Sequence, residues 1–181
     1  WCGAGNMMPN PNEPYGKSKS TDMCCRAHDN AKDYILKGET HRSGLENPKP
    51  YTVTNCSDDI KLFSCLYRDN STASYEFGQA FFDAMHVPCF AHTYPIVCPD
   101  RYDSLWFPWY CEEYKIYTKT KVWQLLYPPN FYDAYTKKWY PNATLPKRET
   151  HGQHGAAELT WKNLCQVDRD MRCGGYFFVR K

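Results

Sequence analysis

The chain has 181 residues, 42% of them hydrophobic and 17% aromatic, with a formal net charge of +2. This composition can bury a core and does not fit a disordered or fibrous chain. The near balance of 22 basic and 20 acidic residues gives no basis for nucleic-acid binding, and no apolar run is long enough to predict a membrane-spanning helix.

The ten cysteines stand at irregular spacings and form no C-x-x-C pairs. This argues against a zinc-binding or nucleic-acid-binding Cys/His module and favours disulfides formed in an oxidising compartment. We therefore expect a secreted protein whose secretory signal, ahead of Trp1, either has been removed or was never supplied. Sequons at Asn70 and Asn142, and a less favourable one at Asn55, agree with a secreted glycoprotein.

The first predicted elements are a loop and a helix. Residues 1–20 are rich in Gly, Asn and Pro, a composition typical of loops. Thr21 or Asp22 is predicted to cap a first helix that runs toward Leu36, and Gly38 is placed to end it.

Two more helices and a strand follow along the chain. A second helix is predicted from near Ser57 to about Tyr67, and a third from Ala73 to Met85. Residues 115–123 alternate charged and apolar side chains, which predicts one strand of a hairpin. The composition changes beyond residue 128, where aromatic residues stand among lysines.

The aromatic run at residues 106–110 leaves two interpretations open. Pro108 excludes a regular central strand, so these side chains either pack against the protein or form an exposed aromatic loop. Trp and Tyr in such a loop suit a bilayer interface.

The chemically most informative segment is Cys24-Cys25-Arg26-Ala27-His28-Asp29. On a helix, residues four apart share a face, so Cys24 lies under His28 and Cys25 under Asp29. If Cys25 bonds Cys2, backbone carbonyls of the Gly-rich start come close to the Asp29 carboxylate, an oxygen-ligand set that suits Ca²⁺. If Cys24 bonds Cys65, Asp58 or Asp59 comes near His28 and can fix its tautomer.

Two sequence runs resemble the bee-venom-like (group III) secreted phospholipase A2 family. Residues 1–6 (WCGAGN) resemble its calcium loop, and residues 22–29 (DMCCRAHD) resemble its active-site helix. The similarity fades by about residue 127. It implies a catalytic domain at 1–127, followed by an unmatched aromatic-rich extension at 128–181 with its own disulfide.

The resemblance implies a fold and a chemistry. The fold is mainly α and disulfide-rich, with two long antiparallel helices, a calcium loop and a small β-hairpin. His28 would activate a water that attacks the sn-2 ester of a phospholipid, and Asp59 would orient His28. Ca²⁺ would be held by the carbonyls of Trp1, Gly3 and Gly5 and the carboxylate of Asp29. The partner would be a phospholipid membrane surface, with any second subunit or receptor left open.

The resemblance also implies five disulfides, of which the last follows by elimination: Cys2–Cys25, Cys24–Cys65, Cys56–Cys89, Cys98–Cys111 and Cys165–Cys173. One bridge usual in the family is missing, because its two positions read Ala31 and Asp58. A tyrosine that supports the active-site aspartate reads Phe81. These departures favour a rival interpretation, a catalytically weakened phospholipase-like binding protein or toxin subunit. The presence of His28, Asp29 and Asp59 argues against it.

Overall fold

The computed structural model describes residues 1–3, 14–97, 101–104, 107–111, 115–132, 161, 164–165 and 167–171, with backbone alone at 101–104 and 107–111. None of the helices in these ranges is long and apolar enough to cross a membrane.

The first helix, α1, spans Lys19–Asp29 and is shorter than predicted. The continuation toward Leu36 is wrong, because the Asn30 side chain donates to the Arg26 carbonyl at 2.7 Å and the chain turns there. Strand β1 (Tyr34–Ile35) then pairs antiparallel with β2 (Val53–Thr54). This pairing buries Ile35 against Val53 and Phe90, and the tertiary contact outweighs the local helical pattern.

The second helix, α2, spans Cys56–Asp69 and confirms the predicted helix from Ser57 to Tyr67. Asn55 caps it, accepting a hydrogen bond from the Ser57 amide at 3.0 Å. Asn70 ends it in the left-handed conformation, with φ of 53°.

The third predicted helix has two parts in the structure. An α-helix, α3, spans Thr72–Gly78 and begins with a capping box between Ser71 and Ser74. A π-helical segment, Gln79–Ala84, continues it. The predicted span is therefore right, but its second half is more loosely wound.

The β structure is more extensive than the small hairpin that was predicted. Its ladders are β3 (Cys89–Thr93) with β8 (Val122–Leu126), β4 (Ile96–Val97) with β7 (Lys115–Ile116), and β5 (Arg101–Ser104) with β6 (Phe107–Cys111). All three are antiparallel, and each pairs a strand that ends by Ser104 with a strand that begins at or after Phe107. The single strand predicted at 115–123 is wrong, because a turn at Thr118–Lys119 separates β7 from β8.

Three contacts fix how α1 and α2 run past each other. The Thr21 hydroxyl donates to Asp69, Cys24 bonds Cys65, and His28 contacts Asp59. Residue numbers rise along α1 as they fall along α2, so the helices are antiparallel. The bond between Cys24 and Cys65 therefore locks the register in which His28 faces the first turn of α2.

Three disulfides join described residues, and each confirms a predicted pair: Cys2–Cys25, Cys24–Cys65 and Cys56–Cys89. Their sequence separations are 23, 41 and 33 residues, so loop-closure entropy alone gives each about 3–4 kcal/mol of stabilisation. Cys165 is also disulfide-bonded, and its pairing with Cys173 and that of Cys98 with Cys111 involve side chains outside the described residues.

The main core includes residues from beyond the predicted boundary at 127. Phe131, Trp161, Leu164 and Met171 are buried in one cluster with the α2 residues Ile60, Leu62, Phe63 and Leu66. Phe131 lies 5.0 Å from Phe63 and 5.9 Å from Phe82, measured between ring centroids. This part of the extension therefore packs as a structural cover.

Candidate active site

The centre of the candidate site is a contact between α1 and the first turn of α2. His28 Nε2 lies 2.8 Å from Asp59 Oδ1. The Asp59 side chain is fully buried and that of His28 is 12% exposed. Because Nε2 is engaged with a carboxylate, the hydrogen sits on Nε2 in the neutral ring, and the Nδ1 lone pair is left to accept a proton.

The charges around His28 favour its protonated form. Burial by itself would lower the pKa of His28, but the hydrogen bond and charge of Asp59, with weaker contributions from Asp29 and Asp58, raise it above its ordinary value. An imidazole in this setting stabilises the positive charge that it gains as a base.

Asp58 and Asp59 occupy different surroundings. The Asp58 carboxylate forms an ion pair with Lys61 at 2.8 Å and remains 20% exposed. Of the two neighbouring carboxylates at the start of α2, Asp59 is the one hydrogen-bonded to His28.

Asp59 has fewer hydrogen-bond donors than a buried carboxylate usually requires. Its Oδ2 atom is buried and has no hydrogen-bond partner among the described residues. Phe81, where the resemblance expects a tyrosine, makes a T-shaped ring contact with His28 at a centroid distance of 5.5 Å and has no hydroxyl to donate. The hydroxyl that Asp59 does receive comes from Thr54, which donates to Oδ1.

The residues proposed to hold a metal are only partly described. Asp29 Oδ2 is buried with no hydrogen-bond partner among the described residues. Burial raises the pKa of Asp29 above its ordinary value, and the charges of His28 and the Trp1 amino group offset this rise only in part. The bond between Cys2 and Cys25 holds the chain start beside the helix face that carries Asp29. An orphaned carboxylate oxygen beside a loop that can offer carbonyls fits a hard divalent cation.

The structure describes two of the three residues whose carbonyls were predicted to bind the metal. Trp1 is buried and Gly3 is exposed, whereas Gly5 is outside the described residues. The parts of the chain that the structure describes contain no cluster of three or more His, Cys, Asp or Glu side chains able to hold a metal. The predicted ligand set has a single carboxylate and backbone carbonyls, so it does not require such a cluster. The side chains of the 106–110 run are likewise outside the description.

The sequons differ in their surroundings. Asn55 is occupied as a helix cap, and its Nδ2 donates to Asp33 Oδ2 at 3.1 Å. Asn70 is exposed at the end of α2, and Asn142 is outside the described residues. The geometry thus favours Asn70 over Asn55 as an acceptor for a glycan.

The sequence pattern did not identify Thr54 as part of the site. Its hydroxyl reaches Asp59 only because β2 leads directly into the cap of α2. The one signal in the sequence was that Thr54 and Asp59 are only five residues apart. This spacing does not indicate a contact unless the junction between β2 and α2 is known.

Comparison with known proteins places the sequence in a family. Residues 1–93 match the family model described as phospholipase A2. The phospholipase A2 of Apis mellifera is 35% identical over 127 residues, covering 68% of this chain and 72% of the relative. The phospholipase A2 isozymes PA3A/PA3B/PA5 of Heloderma suspectum are 36% identical to this chain. The match covers 67% of this chain and 81% of the relative.

The phospholipase A2 of Xylocopa appendiculata circumvolans is 34% identical, and the match covers 64% of this chain but only 61% of that relative. The chain belongs to the phospholipase A2 family of the bee-venom (group III) type.

Proposed function

We propose that the protein is a secreted, calcium-dependent phospholipase A2 that hydrolyses the sn-2 ester of glycerophospholipids. The observation that carries this proposal is the buried contact between His28 and Asp59, with the orphaned carboxylate oxygen of Asp29 on the next residue. A base and a candidate cation ligand then stand side by side, as ester hydrolysis by an activated water requires.

In the proposed reaction His28 Nδ1 takes a proton from the attacking water, and Asp59 holds the ring through Nε2. The water oxygen bonds to the sn-2 carbonyl carbon, and the proton then passes from His28 to the departing oxygen of the glycerol backbone. The products are a lysophospholipid and a free fatty acid. The carbonyls of Trp1, Gly3 and Gly5 and the carboxylate of Asp29 would hold Ca²⁺, which when bound would supply positive charge to the developing oxyanion.

A phosphatidylcholine with different acyl chains at its two positions tests the proposed specificity. The full chain, given calcium and vesicles of this lipid, should release the sn-2 acid and leave the matching lysophospholipid, as measured by mass spectrometry. Release of both acids equally, or of neither, would contradict the proposal. Binding to vesicles without hydrolysis would instead favour the rival interpretation, a phospholipase-like binding protein or toxin subunit.

A further inference from the structure

We propose that Thr54 is a positioning residue whose hydroxyl fixes the Asp59 carboxylate against His28. The inference rests on the proposed hydrolytic function and adds a residue to that machinery. It is argued from mutual contacts among one atom each of Thr54, Asp59 and His28, of which the last two belong to the predicted site.

The three atoms form a closed triangle. Asp59 Oδ1 accepts from His28 Nε2 at 2.8 Å and from the Thr54 hydroxyl. Thr54 Oγ1 also lies 3.1 Å from His28 Nε2. The hydroxyl therefore contacts both members of the pair at the oxygen through which they act on each other.

The backbone around Thr54 explains why its side chain points there. Successive side chains of a strand face opposite sides, and Val53 of β2 is fully buried in the small cluster with Ile35 and Phe90. Thr54 is therefore directed away from that cluster. Asn55 follows at once, with its amide donating to the Asp33 carbonyl at 3.0 Å and its side chain capping α2.

Asp59 depends on this donor because it has few others. Among the described residues, two side chains hydrogen-bond to its carboxylate, those of His28 and Thr54. Its second oxygen, Oδ2, has none. A buried carboxylate held at one oxygen can rotate unless a second donor fixes that oxygen, so the Thr54 hydroxyl determines how well Oδ1 stays on the His28 ring.

The consequence concerns the tautomer of His28. While Asp59 Oδ1 accepts from Nε2, the hydrogen stays on Nε2 and the Nδ1 lone pair is available to a water. Without the Thr54 hydroxyl, the carboxylate samples other orientations and the productive tautomer is less populated. Substrate binding is not affected, because Thr54 lies on the side of the ring that faces Asp59.

The test compares Thr54→Val with Thr54→Ser in the full chain. Valine retains the β-branched shape and removes the hydroxyl, so kcat on a soluble short-chain phosphatidylcholine should fall about tenfold, the loss of one hydrogen bond to a charged group. KM should stay within about twofold, and Thr54→Ser should retain most of the rate because it keeps the donor.

A matched control separates positioning from stability. Thr93 also donates to a buried carboxylate, that of Asp168 at 2.6 Å, and among the described residues its side-chain hydrogen bond goes to no member of the proposed site. Thr93→Val should lower the melting temperature and leave kcat unchanged. A Thr54→Val protein with unaltered kcat, or a Thr54→Ser protein as slow as the valine variant, would overturn the proposal.

A second readout does not depend on hydrolysis. The ¹⁵N chemical shifts of the His28 ring report which nitrogen carries the hydrogen, and Thr54→Val should reduce the population protonated at Nε2 alone. An unchanged tautomer would overturn the role of Thr54 even if the enzyme is active. Absence of hydrolysis by the wild-type chain would instead count against the proposed function. The ¹⁵N shifts would still show whether Thr54 positions Asp59 and the His28 ring.

Discussion

At the scale of single residues, two neighbouring carboxylates at the start of α2 differ in their partners. Asp58 pairs with exposed Lys61, whereas Asp59 is buried against His28. Asp58 stands seven residues before Cys65, so ideal helical spacing places it nearer the face of that cysteine, whereas the family resemblance favours Asp59 as the partner of His28. Spacing misled because Asn55 caps the helix and sets the direction of its first turn, which an ideal helical wheel does not represent.

The variants Asp59→Asn and Asp58→Asn should therefore differ in hydrolysis. Asp59→Asn removes the charge that supports protonated His28, so the rate should fall clearly. Asp58→Asn removes a surface ion pair worth at most about 1 kcal/mol and should leave the rate near that of the wild type. Initial rates on vesicles measure both, and a larger loss in Asp58→Asn would require that the two roles be exchanged.

Asp29→Asn tests the cation site without requiring hydrolysis. Calcium that binds only the folded protein should raise the melting temperature of the wild type, and the removal of the single carboxylate ligand should abolish most of that rise. Without calcium the variant should be at least as stable as the wild type, since the buried Oδ2 has no partner among the described residues. Thermal unfolding with calcium and with chelator measures both effects. An equal calcium-induced rise in both proteins would place the cation elsewhere.

At the scale of elements, the sequence predicted both ends of the second and third helical segments to within two residues but neither end of α1, which begins at Lys19, ahead of the expected cap at Thr21 or Asp22. The capping residues at 55 and 71 are local signals and mark the starts of α2 and α3. The end of α1 at Asp29 depends on the pairing of Tyr34–Ile35 with Val53–Thr54, and the split between β7 and β8 depends on partner strands that lie 18 to 37 residues earlier in the chain. Long-range pairing of this kind leaves no periodic pattern in a short window.

The junction between α3 and the π-helical segment offers a packing test. A Cβ on Gly78 would fall on the Phe131 ring, closer than van der Waals contact allows. Gly78→Ala should therefore destabilise the protein by about 1–3 kcal/mol through overpacking. Chemical denaturation measures this cost.

A double-mutant cycle identifies the cause of that cost. In a Phe131→Ala background the clash is gone, and alanine is a better helix former than glycine, so Gly78→Ala should be neutral or stabilising there. The same cost in both backgrounds would show that Phe131 is not what excludes a larger residue at position 78.

At the scale of the whole molecule, the segment beyond residue 127 is tied to the β structure by charge as well as by packing. Asp168 is buried and accepts from Thr93 and from Lys121, each at 2.6 Å. The sequence predicted an extension at this place from its change in composition. The partners of Asp168 could not be predicted from the sequence, because Lys121 and Thr93 lie 47 and 75 positions before it in the chain.

The stability that Asp168 provides should depend on pH in a defined direction. Burial would raise the pKa of this carboxyl, but the hydrogen bonds from Lys121 and Thr93 outweigh it and hold the pKa below the ordinary value of 3.8. A lowered carboxyl pKa stabilises the fold above about pH 4, and this stabilisation is lost as the pH falls through the native-state pKa.

The difference in melting temperature between the wild type and Asp168→Asn should thus be large at pH 7 and shrink on acidification. Asp170→Asn is the matched control, because Asp170 contacts the same lysine but its side chain is 81% exposed. It should have little effect at any pH. A difference for Asp168→Asn that does not shrink on acidification would show that the charge is not what stabilises this contact.

The pairing of a histidine base with a calcium site is tested by comparing His28→Gln and the wild type on mixed-lipid vesicles, each with calcium and with excess chelator. The wild type should hydrolyse the lipid with calcium and lose this activity in chelator. His28→Gln should fold with its disulfides intact and be slower by at least about 10²-fold, the lower range for a positioned general base. Full wild-type activity in excess chelator, or an active and folded His28→Gln protein, would contradict the mechanism.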